Sequence, residues 1–113
     1  MKIKSFTFNP FQENTYVVYD DTKECIIIDP GCYTDKERDE LRRFITSEGL
    51  KPVKLINTHC HIDHVLGNKF TSELWDLVLY MHKEDLPLLE NAGNIGKMYG
   101  FEKYEGSPYP KHF

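Results

Sequence analysis

The segment Thr58-His59-Cys60-His61-Ile62-Asp63-His64 packs three imidazoles and a carboxylate into six consecutive positions. Imidazole nitrogens and carboxylate oxygens are the donors that zinc and similar divalent metals take. His59 and His61 stand two apart, so on an extended segment they point to one side. Asp63 and His64 follow at once, where a loop can turn them toward the same space. Four ligands this close predict two metals sharing a site, because one tetrahedral ion rarely draws its whole set from so short a segment. Two adjacent metals lower the pKa of a shared water and polarise the oxygen under attack, so no Ser or Cys nucleophile is required. Asp63 is the catalytic candidate, holding one metal while orienting the nucleophile. The competing reading is a polar surface loop. The apolar run from Val53 to Ile56, leading straight into the cluster, weighs against it.

The elements that must position this cluster are legible as alternating strands and helices. Ile3, Phe6 and Phe8 open a first strand, ended by Asn9-Pro10, and Thr15 to Tyr19 reads as a second. After the turn Asp20-Asp21-Thr22-Lys23, the apolar run Cys25 to Ile28 predicts a third strand, paired with the second as a hairpin. Asp29-Pro30-Gly31 stops it. Thr34-Asp35-Lys36-Glu37 matches a capping box, Leu41, Phe44 and Ile45 recur at helical spacing, and Gly49 sits where the helix would close. Val53 to Asn57 is a fourth strand that delivers the histidines at its C-terminal end, the edge where α/β proteins place their sites. Asn68 to Trp75 predicts a helix, Leu77 to Met81 a fifth strand, and Lys83 to Asn91 another helix. From Asn91 to Phe113, Gly, Pro and aromatics recur without a period, which predicts a loop with aromatic anchors. The fold class expected is α/β, a mixed sheet with flanking helices.

The 113 residues suit one modest core, and the formal charge is -4. No basic block exists, which argues against a nucleic-acid partner. No apolar run approaches the roughly 20 residues needed to cross a bilayer, so no membrane partner is expected and a cytoplasmic location is the default. Cys25, Cys32 and Cys60 are an odd number without a CxxC pair, so no disulfide framework is implied. Cys25 is expected in the core, Cys32 partly exposed after its turn, and Cys60 facing away from the histidines beside it.

The run from His59 to His64 resembles the HxHxDH signature of the metallo-β-lactamase superfamily. Asp29-Pro30-Gly31 resembles that superfamily's earlier motif, and Asn9-Pro10-Phe11-Gln12-Glu13-Asn14-Thr15-Tyr16 is similar to the start of glyoxalase II-like hydrolases. The resemblance covers most of residues 1–90. It implies the N-terminal half of an αββα sandwich of two stacked sheets, with His59 and His61 on a first metal, Asp63 and His64 on a second, and Asp29 orienting the cluster. It implies a dinuclear hydrolase acting on a small-molecule thioester, in the manner of hydroxyacylglutathione hydrolases. His61 stands where di-iron relatives commonly carry glutamate, which tilts the expectation to zinc over iron or manganese. Members of the family are longer, with further ligands in a second half. After His64 only His82 and His112 remain, and His82 is expected to start a helix rather than bind metal. Residues 1–90 therefore read as a metallo-β-lactamase-like half and 91–113 as a linker toward an absent second half. Strands built to pack against another sheet would leave an apolar face, through which self-association is expected. The alternatives are a noncatalytic metal-binding or assembly module and a nuclease of the same superfamily, the latter disfavoured by the acidic balance.

Overall fold

Alternating apolar residues form β1 (Lys2–Phe8), β2 (Glu13–Tyr19) and β3 (Glu24–Ile28), and local chemistry reverses the chain between them. In the computed structural model, which describes residues 1–113, Asn9 and Gln12 take left-handed backbone (φ 55° and 54°), and the Gln12 N–H donates to the Asn9 carbonyl at 3.0 Å. At the next turn the Asp20 carboxylate accepts the Thr22 N–H at 3.0 Å. The capping box then starts α1 (Asp35–Ser47): Thr34 Oγ1 accepts the Glu37 N–H at 3.1 Å, and the Glu37 carboxylate accepts the Thr34 N–H at 3.3 Å. Removing such a cap costs about 1 kcal/mol. Leu41 and Ile45 bury one face of this helix, and Gly49 (φ 66°) follows its end. The chain continues through β4 (Lys51–Ile56), α2 (Ile62–Val65), α3 (Asn68–Trp75), β5 (Leu79–Tyr80), a 3-10 turn (Lys83–Asp85), α4 (Leu86–Glu90) and α5 (Ala92–Met98).

The strands form one five-stranded sheet in sequential order. β1, β2 and β3 pair antiparallel, while β4 runs parallel to both β3 and β5. This is the mixed α/β sheet that the alternation predicts. Phe6, Phe8, Val17, Cys25, Ile27, Leu55 and Leu79 share a single core with Leu41 and Ile45. The opposite face carries Ile3, Tyr16, Val18, Ile26, Ile28 and Ile56, none of them buried. Between β3 and β4 the register shifts: Cys25 opposes Pro52 and Ile26 opposes Lys54, so Val53 is an extra residue. Pro52 and Leu55 are consequently both buried although three positions apart.

Three local expectations need correction. Cys32 is fully buried rather than partly exposed, because Gly67 lets the turn close on it: a Cβ there would lie 2.5 Å from its sulfur. The fifth strand is only Leu79–Tyr80, since few backbone groups find a partner beyond β4. The stretch after Asn91 is not all loop: Ala92–Met98 is α5, fixed by tertiary packing rather than by the propensity of a segment with two glycines. Gly96 seats it, with an added Cβ falling 3.4 Å from Ile62.

Candidate metal centre

Because β3 and β4 are parallel neighbours, their ends emerge side by side, and residues 29 positions apart meet. Asp29 extends the pairing, its N–H donating to the Ile56 carbonyl at 2.9 Å. It then takes left-handed backbone (φ 52°), unusual outside glycine and of a kind that collects at functional sites. Its carboxylate accepts the Thr58 N–H at 2.7 Å and also the Thr58 hydroxyl. Its other partner is His64, whose Nδ1 lies 3.1 Å from Asp29 Oδ2. The two form an ion-pair contact without a hydrogen bond, and a carboxylate this near Nδ1 still favours Nε2 as the metal-facing nitrogen.

Beyond Thr58 the chain turns into α2, and the three rings converge. Ring centroids are 5.9 Å apart for His59 and His61, 5.5 Å for His59 and His64, and 6.3 Å for His61 and His64. Asp63 Oδ2 is 3.5 Å from His64 Nε2. The tightest donor group is Asp29, His59 and His64, with one ligand atom from each lying within 4.8 Å of the others. That group takes in neither His61, which stacks on His59, nor Asp63, which reaches the space through His64. Cys60 turns away into the core, its sulfur 3.8 Å from Met81 Sδ, and burial pushes its thiol up to about 12. His82 accepts the Glu84 N–H on Nδ1 at 3.1 Å and starts the 3-10 turn. His112 stacks on Tyr80, away from the cluster, with centroids 4.5 Å apart.

Glu13 is the residue that motif reading passed over. It is buried at the start of β2, with Oε1 3.6 Å from His64 Nδ1. Its signal was present in the alternation, because Glu13, Thr15 and Val17 all fall on the covered face. Burial pushes its carboxyl up to about 8, against the Thr15 hydroxyl and His64, and with help from Asp29 and Asp63. His64 is raised above the usual histidine range, chiefly by its contact with Asp29, with burial opposing. Thr15 ties this layer together, its hydroxyl donating to the Asp29 carbonyl at 2.8 Å and accepting the Gly31 N–H at 3.0 Å. Asn9 Nδ2 donates to the carbonyls of Gly31 and Asp63, each at 3.0 Å. Gly31 is required by close approach, since a Cβ would lie 2.5 Å from the Asp63 carbonyl oxygen.

The donor chemistry fits a divalent cation. Glu13, Asp29 and Asp63 crowd around His64 and no Lys or Arg forms an ion pair with any of them. Glu13 Oε1 is buried without a hydrogen-bond donor. A cation among these carboxylates and imidazoles would relieve both conditions.

The comparisons identify the family. The family description "Metallo-beta-lactamase superfamily" matches residues 8–111, and the chain belongs to that superfamily. A probable metallo-hydrolase of Bacillus subtilis, YqgX, is 31% identical over 104 residues, which are 90% of this chain and 47% of that protein. The hydroxyacylglutathione hydrolase GloC of Haemophilus influenzae is 35% identical over 105 residues, 88% of this chain and 46% of that protein. Among solved structures, TTHA1623 in a di-iron-bound form superposes with a TM-score of 0.80 at 34% identity, covering 95% of this chain and 51% of that one. The B3 metallo-beta-lactamase BLEG-1 superposes at 0.83 with 26% identity, covering 99% and 52%. The chain thus spans about half the length of the relatives it matches. No helix is long and apolar enough to cross a membrane.

Proposed function

We propose that this chain carries the metal-binding part of a dinuclear metal-dependent hydrolase that acts on a small-molecule thioester. The observation that supports it is the convergence of three imidazoles and Asp63 at the end of β4, with Asp29 braced against His64. His59 and His61 would hold a first ion, and Asp63 and His64 a second. Asp29 would act through His64, fixing its ring so that Nε2 presents a lone pair. Bound divalent ions would supply Lewis acidity toward a carbonyl oxygen and acidify a water. Asp63, 3.5 Å from His64 Nε2, would orient that water. Thr58 and Asn9 keep the cluster in place through Asp29 and the Asp63 carbonyl. Zinc is the metal favoured by the three-histidine set; iron is the alternative, because the similar TTHA1623 was solved in a di-iron-bound form. The thioester is supported by the similarity to GloC.

Zinc analysis after equilibration and desalting tests the centre. Bound zinc, lost on His59→Ala and on Asp63→Asn, is expected; a metal-free parent chain would end the reading. Hydrolysis of a hydroxyacylglutathione by a product as long as the relatives tests the substrate, and no turnover with zinc bound would remove the thioester assignment.

A second reading, a noncatalytic metal-binding module, is favoured by the compact group of Asp29, His59 and His64, which offers ligands enough for one ion. One loosely held ion per chain, unaffected by Asp63→Asn, would support it over the first.

A further inference from the structure

Beside the cluster lies a cavity of about 320 Å³ between the Asn9–Gln12 turn and α5. Its walls are apolar: Phe11 from the turn, Ile62 below, Leu88 from α4, and Ile95 and Tyr99 from the α5 side. Its polar lining residues are His61 and Asp63, so the cavity and the candidate metal centre share two residues.

Both walls are held rather than loose. Phe11 stays 46% exposed, yet its N–H donates to Asn9 Oδ1 at 2.9 Å, and the same Asn9 side chain grips the Asp63 carbonyl. Its ring meets Tyr99 edge-on at 5.3 Å and Phe101 at 5.9 Å. Opposite, α5 is pressed onto α2 through Gly96 and Ile62. A large aromatic side chain kept in water on a tethered turn adds little to folding, and an apolar cavity with few polar groups is the usual form of a small-molecule site.

We propose that this cavity receives the apolar tail of the substrate, and that it selects an acyl group with a short aliphatic chain over an acetyl group. This rests on the metal-centre reading. With His61 and Asp63 committed to metal, the remaining walls, chiefly Phe11, Ile62, Leu88 and Ile95, offer carbon to the chain of such a group. The cavity is at the small end of ligand sites, which suits a tail of a few carbons rather than a whole drug-sized molecule.

The test uses two probes on the 113-residue chain. Straight-chain hydroxamates from acetyl to octanoyl carry a metal-chelating head and the tail in question. On zinc-loaded chain, calorimetry should show affinity rising about threefold to fourfold per methylene until the cavity is full. Phe11→Ala and Ile95→Ser should each flatten the length series. On metal-free chain, 1-hexanol should give saturable methyl shifts at Leu88 and Ile95 by NMR. A flat length series on a zinc-binding chain overturns the proposal, as do hexanol shifts that are absent or fall elsewhere. Failure of zinc to bind overturns the metal-centre reading instead, and the hexanol shifts then decide the cavity alone.

Discussion

On one side of the sheet Phe8, Val17, Ile27, Leu55 and Leu79 are shut away from water; on the other Ile3, Tyr16 and Val53 stand open to it. The residue types hardly differ. Ile26, Ile27 and Ile28 are consecutive, yet only Ile27 is buried. The helices lie against one face, so position in the pleat, not hydrophobicity, decides which isoleucine is stabilising. The candidate metal centre is assembled at the end of the covered side, from Glu13 and Thr15 in line with Val17. Its precision therefore comes from packed strands. The bare side contributes apolar area without partners, the character of a surface that a second layer would cover.

The contrast can be broken most sharply through the thiols. Burial pushes Cys32 from 9.0 to about 12, which lowers its thiolate fraction at pH 8 about a thousandfold. Cys25 and Cys60, pushed up to about 11 and 12, behave alike. Native chain should resist a thiol reagent that labels all three cysteines at once in urea; prompt labelling of the native chain would show that the covered side is open. Next in size, Leu55→Ala should cost about 2–5 kcal/mol in urea unfolding, whereas Ile3→Ala should stay within about 0.5 kcal/mol. Equal losses would erase the distinction between the faces. Gly31→Ala brings a methyl onto the Asp63 carbonyl and should cost about 1–3 kcal/mol, with weaker zinc uptake. Unchanged stability and unchanged zinc uptake would mean that the turn has room to spare. The smallest effect on stability is expected from Ile3→Ser with Val53→Ser, about 0.5 kcal/mol or less. Their signature is association instead. Sedimentation of the parent chain should show concentration-dependent self-association that this pair reduces, and a monomeric parent that binds no hydrophobic dye would show the bare face to be inert.

Much of this was legible in the chain. The capping box at Thr34 and Glu37 forms as written because it needs only neighbours in sequence. The strands β1 to β4 follow their alternating or continuous apolar runs, and the histidine cluster announces itself by composition. What escaped depends on distant partners. α5 contains Gly93 and Gly96 and is a poor helix former, but Ile62 and Phe101 hold it. Glu13 looks like a turn residue until the strand register turns it inward beside His64. Cys32 owes its burial to Gly67, far along the chain. No local pattern encodes such meetings.

The extra residue at Val53 also carries a lesson about reach. It resets odd and even along β4, so that Leu55 and Asn57 turn toward the helices and Thr58 arrives opposite Asp29. Pairing Val53 against Ile26, without the bulge, would invert every later side chain of the strand, turning Leu55 to the open face and swinging His59 off its neighbours. A residue with no donor atoms of its own thus governs whether the imidazoles meet at all.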